Sequence, residues 1–367
     1  MRVVLTGGGT GGHIYPAVAV ARQCLKEFPD AEFLYIGTSR GLERDIIPKE
    51  GIPFESIEIT GFKRKLSLDN VRTVMRFVKG VSRSKELLRK FKPDIVVGTG
   101  GYVCGPVVYA AARSGIPTLV HEQNVIPGLT NKFLSRYVST VAVSFKGSES
   151  NFPAAKRAVY TGNPRATVVA NADAERGFAT LGLPSGSQIV VIVGGSRGAR
   201  AINEAFMSML PDIGRFKGTH FVYVTGEAHY EAVLLKIKQT AGTSPSNLHV
   251  LPFVYNMPEV LAATSLIVSR AGASFLSEIT SLGIPSILIP SPYVTNNHQE
   301  ANARWMEKEQ ASVLILEKEL NGSTLSQAIG SIVENPGRSE SMSSQSLKLG
   351  QRDAAQLLLE EMKRLVR

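Results

Sequence analysis

The amino-acid sequence has little cysteine and no long apolar run. Two cysteines, Cys24 and Cys104, occur in 367 residues, which is too few for a disulfide framework and favours a reducing cytoplasm. No stretch of about 18 uninterrupted apolar residues is present, so we expect no membrane-spanning helix. The chain opens on a strand-like run at residues 2–6, and we expect no export signal there.

The sequence also lacks the carboxylate and histidine spacings that commonly hold a metal ion. Neither Asp-x-Asp nor His-x-x-x-His occurs, and the nearest approach to a metal pair is His121 beside Glu122. We therefore expect no obligatory metal or other cofactor. Helix N-termini and backbone amides are expected to stabilise anionic groups in its place.

Positive charge is abundant and unevenly distributed. The formal net charge is +10, and residues 63–92 contain eleven Lys or Arg against two acids. This predicts a local basic surface for a polyanion, which is a nucleic acid, an anionic bilayer or a pyrophosphate-bearing substrate. Apolar residues alternate with the charges, which is typical of a helix at a membrane surface, although an amphipathic helix packed on the core gives the same pattern. No aromatic stacking platform accompanies the charge, which disfavours nucleic acid.

Short apolar runs alternate with helical patterns along the whole chain. The length exceeds the roughly 250 to 300 residues that one core usually supports, so two α/β domains are expected. Each would be a parallel sheet covered by helices on both faces, with ligands at the carboxyl ends of the strands. The predicted strands are 3–6, 33–37, 94–98, 118–121 and 141–144, then 188–194, 221–225, 248–253, 266–269 and 286–290.

Turn residues at 160–165 predict the point at which the first domain ends. We expect an N-terminal domain at residues 1–163 and a C-terminal domain at 164–340. The remaining segment, 341–367, becomes amphipathic, and we expect a terminal helix that packs back toward the N-terminal domain.

A glycine-rich loop, GGGTGGH at residues 7–13, follows the first strand and opens a helix. This order is typical of a phosphate cradle, because glycines admit close backbone approach to an anion. The loop also satisfies G-x-G-x-x-G, but the second strand is followed by Thr38-Ser39-Arg40 instead of an acid, which disfavours NAD and leaves NADP open. His13 begins the helix, where it is either a general base or a side chain that hydrogen-bonds the loop.

Three further glycine loops follow predicted strands, at residues 98–106, 194–199 and 270–274. The first offers the amides of Gly100, Gly101 and Tyr102 to a second anion, or needs glycine for tight packing. Glu278 lies inside the helix after the last loop, where a carboxylate either binds ribose hydroxyls or faces solvent. Polar clusters at 121–124 and 296–300 suit sugar hydroxyls.

The ordered set of these segments resembles the MurG family of glycosyltransferases, and the likeness spans most of the chain. The resemblance implies a GT-B fold, which is α/β with two Rossmann-like doubly wound parallel-sheet domains and a deep interdomain cleft. It also implies inverting transfer of GlcNAc from UDP-GlcNAc to the 4-hydroxyl of MurNAc in lipid I, undecaprenyl-diphospho-MurNAc-pentapeptide, which forms lipid II in peptidoglycan synthesis. The segments are residues 6–16, 100–106, 121–131, 161–165, 194–199, 269–278 and 298–303.

The resemblance assigns roles to individual positions. His13 matches the proposed base, with Glu122 as the second choice, and the loop of Gly100, Gly101 and Tyr102 is assigned to the acceptor diphosphate. Arg165 follows Pro164 directly, whereas many members have one residue between them. The positions assigned to UDP-GlcNAc are Thr10, Gly11, Gly12, Asn124, Arg165, Ser196, Val254, Ala273, Ser274, Glu278 and Gln299.

A lipid-linked acceptor gives the basic segment a meaning. The resemblance implies a peripheral protein on the cytoplasmic face of the cell membrane, with UDP-GlcNAc, lipid I and the anionic inner leaflet as partners and no nucleic acid. Other cell-wall synthesis proteins are further candidate partners. The expected membrane contacts are Lys63, Arg64, Lys65, Leu66, Arg72, Met75, Arg76 and Lys79.

Alternatives from other classes remain at this point. A diacylglycerol glucosyltransferase or a UDP-GlcNAc 2-epimerase would share the fold. An NADP-linked oxidoreductase would use the first glycine loop for its cofactor. A membrane-binding scaffold with a retained nucleotide pocket would bind the donor and release no UDP.

Overall fold

The computed structural model describes residues 1–61, 68–195, 198–241 and 245–366, with the side chains of 68–71, 240 and 241 left out. Two compact units make up the chain. Unit 1 comprises Met1–Thr167 and Gln351–Arg367, and unit 2 comprises Val168–Gly350.

Unit 1 is built on a parallel sheet in the order β3-β2-β1-β4-β5-β6-β7. Its strands are β1 Arg2–Thr6, β2 Glu32–Gly37, β3 Phe54–Ser56, β4 Ile95–Gly98, β5 Thr118–Glu122, β6 Thr140–Val143 and β7 Ala158–Tyr160. Its helices are α1 Gly11–Glu27, α2 Glu43–Ile46, α3 Leu68–Phe91, α4 Cys104–Arg113, α5 Leu129–Leu134, α6 Arg165–Val169, which crosses the border between the units, and α15 Ala354–Val366.

The unit 1 sheet is buried on both faces, which explains why its strands read as continuous apolar runs. Val3 and Leu5 point into a core shared with α1 and α15. Val4, between them, points into a second core shared with α3 and α4. This alternation follows from the two-residue period of a strand.

Unit 2 repeats the architecture with the order β10-β9-β8-β11-β12-β13, again all parallel. Its strands are β8 Gln188–Val193, β9 Thr219–Val224, β10 Leu248–Leu251, β11 Leu266–Ser269, β12 Ser286–Leu288 and β13 Ser312–Leu314. Its helices are α7 Ala174–Leu181, α8 Arg200–Met209, α9 Tyr230–Ala241, α10 Met257–Ala262, α11 Ala273–Leu282, α12 His298–Lys308, α13 Gly322–Val333 and α14 Pro336–Leu349.

All ten predicted strands are present, and the prediction of two parallel-sheet domains is confirmed. Three strands were not predicted, β3, β7 and β13, and each has three residues at the edge of a sheet. The units divide after residues 167 and 350, whereas we expected boundaries after 163 and 340. The second difference arises because α14 packs on α11 in unit 2, and only α15 packs on α1 in unit 1.

Candidate functional site

In unit 1 the strand order reverses between β1 and β4. We call the carboxyl ends of the strands at this point the functional edge of the unit. Ligands of doubly wound sheets bind at this point, beyond the carboxyl ends of the strands. The first two glycine loops meet there, and the Gly8 N–H donates to the Gly100 carbonyl oxygen at 3.2 Å. A Cβ on Gly101 would collide with the Gly8 carbonyl oxygen, so this close approach requires glycine.

Cys104 organises the second glycine loop. The Gly100 N–H donates to its Sγ at 3.2 Å, and the thiol lies 3.0 Å from the carbonyl oxygens of Thr6 and Gly100. Burial raises the pKa of the Cys104 thiol to about 12, so it stays protonated and serves as a donor. Of the three amides predicted to bind an anion, that of Gly100 is therefore already engaged. The anion-binding role of Gly101 and Tyr102 stays a prediction.

His13 lies in the first turn of α1 and is half-buried against the second loop. Its Nδ1 is 3.1 Å from the Thr99 carbonyl oxygen and 3.1 Å from Gln123 Oε1. The interpretation of His13 as a side chain that hydrogen-bonds the loop agrees with these contacts, and its role as general base stays a prediction. One ring nitrogen bonds the loop, and the proposed role as base falls to the other nitrogen.

His121 and Glu122 are buried at the end of β5 and point to opposite faces of the strand. Burial lowers the pKa of His121 to about 4, so its ring is neutral at physiological pH. Glu122 accepts hydrogen bonds from the Asn124 N–H at 3.0 Å, the Gly128 N–H at 3.0 Å and Asn131 Nδ2 at 2.9 Å. These contacts favour an orienting role for Glu122, and its catalytic role stays a prediction.

Glu43 is a buried acid of the first loop that the sequence did not reveal. It is fully buried, and its carboxylate accepts from the Gly9 N–H at 3.1 Å, the Thr38 N–H at 3.0 Å and the Thr38 hydroxyl at 2.7 Å. A dinucleotide diphosphate on the Gly9 amide would meet this carboxylate at close range. The geometry therefore disfavours NADP as well as NAD at this loop.

The functional edge of unit 2 lies between β8 and β11, at the equivalent reversal of strand order. The third glycine loop follows β8, and a Cβ on Gly198 would collide with the Thr225 carbonyl oxygen of the loop after β9. The predicted donor contact Ser196 lies outside the described residues. Ala273 and Ser274 form the N-terminus of α11, where the positive end of the helix dipole favours an anion.

Glu278 lies one turn further along α11 and is 6% exposed, so the alternative of a solvent-facing acid is wrong. Val254 is also buried, in the loop after β10 between the exposed rings of Phe253 and Tyr255. Gln299 lies on α12, where its Oε1 accepts from the Ser291 N–H at 2.9 Å. The structure therefore places these three predicted donor residues at the carboxyl edge of one sheet.

Two further side chains, Arg270 and Asn302, hold the loop before α11, and neither was predicted. The Arg270 guanidinium forms a 2.6 Å ion pair with Glu317 and donates to the Ile289 carbonyl oxygen at 3.1 Å. The buried Asn302 donates to the Ala271 carbonyl oxygen at 3.1 Å. Asn302 lies within residues 298–303, a segment that carries the family resemblance, and nothing else in the sequence indicated its role.

Comparison with family models and known proteins shows which family this chain belongs to. The glycosyltransferase family 28 N-terminal domain matches residues 3–143, and the family 28 C-terminal domain matches residues 189–358. The UDP-N-acetylglucosamine–N-acetylmuramyl-(pentapeptide) pyrophosphoryl-undecaprenol N-acetylglucosamine transferase of Halalkalibacterium halodurans is 56% identical over 98% of both chains. The chain belongs to the MurG family of glycosyltransferases.

Solved structures agree with this MurG family membership. The crystal structure of Acinetobacter baumannii MurG matches with a TM-score of 0.79 at 28% identity over 99% of both chains. A UDP-GlcNAc 2-epimerase from Neisseria meningitidis matches with a TM-score of 0.71 at 16% identity, over 99% of this chain and 100% of that one, and shows the fold alone. The GT-B fold class is confirmed, and the expected interdomain cleft stays a prediction.

The other positions that the MurG resemblance assigned to UDP-GlcNAc lie in unit 1. Thr10 directly precedes α1, Gly11 and Gly12 begin it, and Asn124 follows β5. Arg165 begins α6 in unit 1, with its guanidinium 5.4 Å from the centre of the Tyr15 ring. Within the described residues, no group of three or more His, Cys, Asp or Glu side chains gathers as a metal site would require.

Proposed function

We propose that this protein transfers GlcNAc from UDP-GlcNAc to the 4-hydroxyl of MurNAc in lipid I, with inversion at C1, and so forms lipid II. The observation that carries the proposal is the full-length likeness to transferases whose names state this donor and this acceptor. The paired glycine loops at the switch point of each sheet support it, because a nucleotide diphosphate needs such amides.

Unit 2 is proposed to hold the donor. The N-terminus of α11 faces the leaving diphosphate, the buried Glu278 accepts hydrogen bonds from the ribose, and backbone atoms of Val254 contact the uracil. Helix-end amides supply the positive potential, so we propose that transfer needs no metal ion or other cofactor. Gln299, oriented by the Ser291 amide, is proposed to bind the sugar.

Unit 1 is proposed to meet the acceptor. His13 accepts the proton of the 4-hydroxyl while the oxygen attacks C1 of GlcNAc. The bond from C1 to the diphosphate oxygen breaks, and UDP leaves with the electron pair. Asn124, whose backbone and side-chain amides both donate to Glu122, is held by that carboxylate near the transferred sugar.

The exposed side of α3 is proposed to contact the membrane. Val74, Met75 and Val78 are at least half exposed, and they lie among exposed Arg72, Arg76 and Lys79. The opposite side of α3 packs inward, where Phe77 contacts Tyr109 on α4 and Phe133 on α5 with ring centres about 6 Å apart.

The division of α3 between core and surface supports a peripheral protein at the cytoplasmic face of an anionic membrane. No helix among residues 1–61, 68–195, 198–241 and 245–366 is long and apolar enough to cross a bilayer. The predicted contacts Lys63, Arg64, Lys65 and Leu66 lie outside the described residues.

The decisive experiment supplies labelled UDP-GlcNAc with lipid I, with diacylglycerol or with no acceptor, each with and without a chelator. We expect labelled lipid II only with lipid I and an undiminished rate with the chelator. The matched control is His13→Ala, which should lower turnover far more than UDP-GlcNAc affinity.

Two results would contradict the proposal. Label found only in diacylglycerol would contradict lipid I as the acceptor. Conversion of UDP-GlcNAc to its 2-epimer without any acceptor would make the protein an epimerase.

A further inference from the structure

A chain of hydrogen bonds joins two histidines of unit 1 through the side chain of Gln123. This side chain is buried, and its Oε1 lies 3.1 Å from His13 Nδ1. Its Nε2 lies 2.6 Å from the Thr99 carbonyl oxygen and 3.0 Å from His121 Nδ1. His121 Nε2 in turn lies 2.9 Å from the Gly162 carbonyl oxygen.

The orientation of the Gln123 amide follows from its neighbours. Nε2 faces the carbonyl oxygens of Thr99 and His121, at 2.6 and 3.1 Å, and carbonyl oxygens only accept. An amide turned the other way would place an oxygen against two oxygens. The Gln123 amide oxygen is therefore the atom that faces His13.

The proton positions on both rings follow in turn. His13 Nδ1 faces two acceptors, the Thr99 carbonyl oxygen and Gln123 Oε1, so it carries the hydrogen. A neutral His13 ring then has its lone pair on Nε2. His121 is the reverse, because its Nδ1 accepts from Gln123 and its Nε2–H donates to Gly162. Because the buried His121 is neutral, its ring carries one N–H hydrogen, and this hydrogen is on Nε2.

We infer that Gln123 is a positioning residue that holds His13 as the Nδ1–H tautomer and so makes Nε2 the proton acceptor of the transfer. This rests on the proposed function and on His13 as its base. When Nε2 takes the proton of the 4-hydroxyl, the new imidazolium keeps its Nδ1–H on Thr99 and Gln123, which stabilise the positive charge.

Gly100 adds a steric condition to this arrangement. A Cβ at this position would overlap His13 Nδ1 and approach Gln123 Oε1. The second glycine loop therefore leaves the imidazole just enough room to reach Thr99 and Gln123, so the loop also sets the ring position.

The tautomer can be measured without turnover. Long-range ¹H–¹⁵N correlation spectra of protein labelled in its histidine rings identify which nitrogen carries hydrogen, with the His13 signals assigned by their loss in His13→Ala. We expect Nδ1–H in the unchanged chain. Hydrogen on Nε2 of the neutral His13 ring would overturn the inference, whatever the transfer assay shows.

The variant Gln123→Leu removes both polar atoms at similar size. We expect a mixture of His13 tautomers, a fall in kcat of about tenfold or more, and a KM for UDP-GlcNAc within about twofold. The matched control is Gln23→Leu on α1, which loses only a contact to Gln356 and should keep the tautomer and kcat.

The outcomes for the variant separate the inference from the proposed function. An unchanged kcat in Gln123→Leu with a mixed tautomer would remove the positioning role and leave the transferase assignment intact. Absence of transfer by the parent chain would overturn the proposed function while the spectra still tested the tautomer. If Gln123→Leu fails to fold, the spectrum of the parent chain decides.

Discussion

At the scale of single residues, the loops that follow β1, β2 and β5 in unit 1 are held by buried polar side chains. Glu43 accepts from the amides of Gly9 and Thr38, and Glu122 accepts from those of Asn124 and Gly128. Burying a carboxylate is costly unless several donors meet it, and each of these has at least three. These acids therefore shape the loops, which favours His13 over Glu122 as the proposed base.

His121 makes unit 1 sensitive to acid. The pKa of His121 is about 4 in the fold and about 6.5 in the unfolded chain, so in this interval the unfolded chain binds a proton that the folded chain does not. The free energy of unfolding should fall as pH decreases from about 6.5 to about 4, by at most about 1.4 kcal/mol per pH unit. Urea unfolding followed by circular dichroism across this interval measures the slope.

The variant His121→Gln should lose this part of the pH dependence, because it has no imidazole to protonate. The control His298→Gln, in unit 2, should keep the parent slope. A slope in His121→Gln equal to that of the parent would contradict the assignment.

At the scale of elements, α15 is the last helix and completes the first core. Leu358, Leu359 and Met362 are fully buried against α1 and the unit 1 sheet. At its rim, Lys363 Nζ lies 2.7 Å from a Glu27 carboxylate oxygen. Apolar burial contributes most to the stability of the packing of α15 on α1, because exposed ion pairs contribute roughly 0 to 1 kcal/mol.

Shortening one of these side chains should destabilise unit 1. We expect Leu358→Ala to cost about 2 to 5 kcal/mol, since it leaves a cavity in a fully buried site. Far-UV circular dichroism follows both units, whereas fluorescence of Trp305, the one tryptophan of the chain, follows unit 2.

We expect an early dichroism transition in Leu358→Ala and an unchanged Trp305 transition. The matched control is Leu347→Ala, an exposed leucine on α14, which should leave both transitions in place. A shift in the Trp305 transition as large as that in dichroism would show that α15 stabilises both units equally.

At the scale of the whole molecule, the two units have the same strand order around their first strands and carry glycine loops at the same switch point. The side chains at the candidate sites of the two units differ. Unit 2 presents the buried acid Glu278 beside a helix N-terminus, whereas unit 1 presents His13 and the basic, partly apolar surface of α3. This difference supports a donor site on one unit and a membrane-bound acceptor on the other.

Membrane binding should depend on the charges of α3. We expect reversal of Arg72, Arg76 and Lys79 to Glu to weaken co-sedimentation with anionic vesicles, by about 1 kcal/mol per residue at low salt. Reversal of Lys217, Lys236 and Lys238, exposed in unit 2, changes the net charge equally and should leave binding intact. Equal losses in both triple variants would indicate a net-charge effect in place of a local surface.

Local patterns predicted the regular structure well and the short edge strands poorly. Long apolar runs such as that of β8 signal a buried parallel strand, since both faces are covered. The edge strands β3, β7 and β13 have three residues each, too few for a period to be recognised. Likewise, α14 and α15 read as one amphipathic tail, although they pack on different units.

The sequence by itself determined the two-sheet α/β fold, the glycine loops and the MurG resemblance, because strand periodicity and loop motifs are local. Only the tertiary structure decided how His13 is held. Its partners Thr99 and Gln123 lie 86 and 110 residues away along the chain. The strand order β1-β4-β5 brings those loops together, and contacts between distant segments depend on topology, which local patterns do not encode.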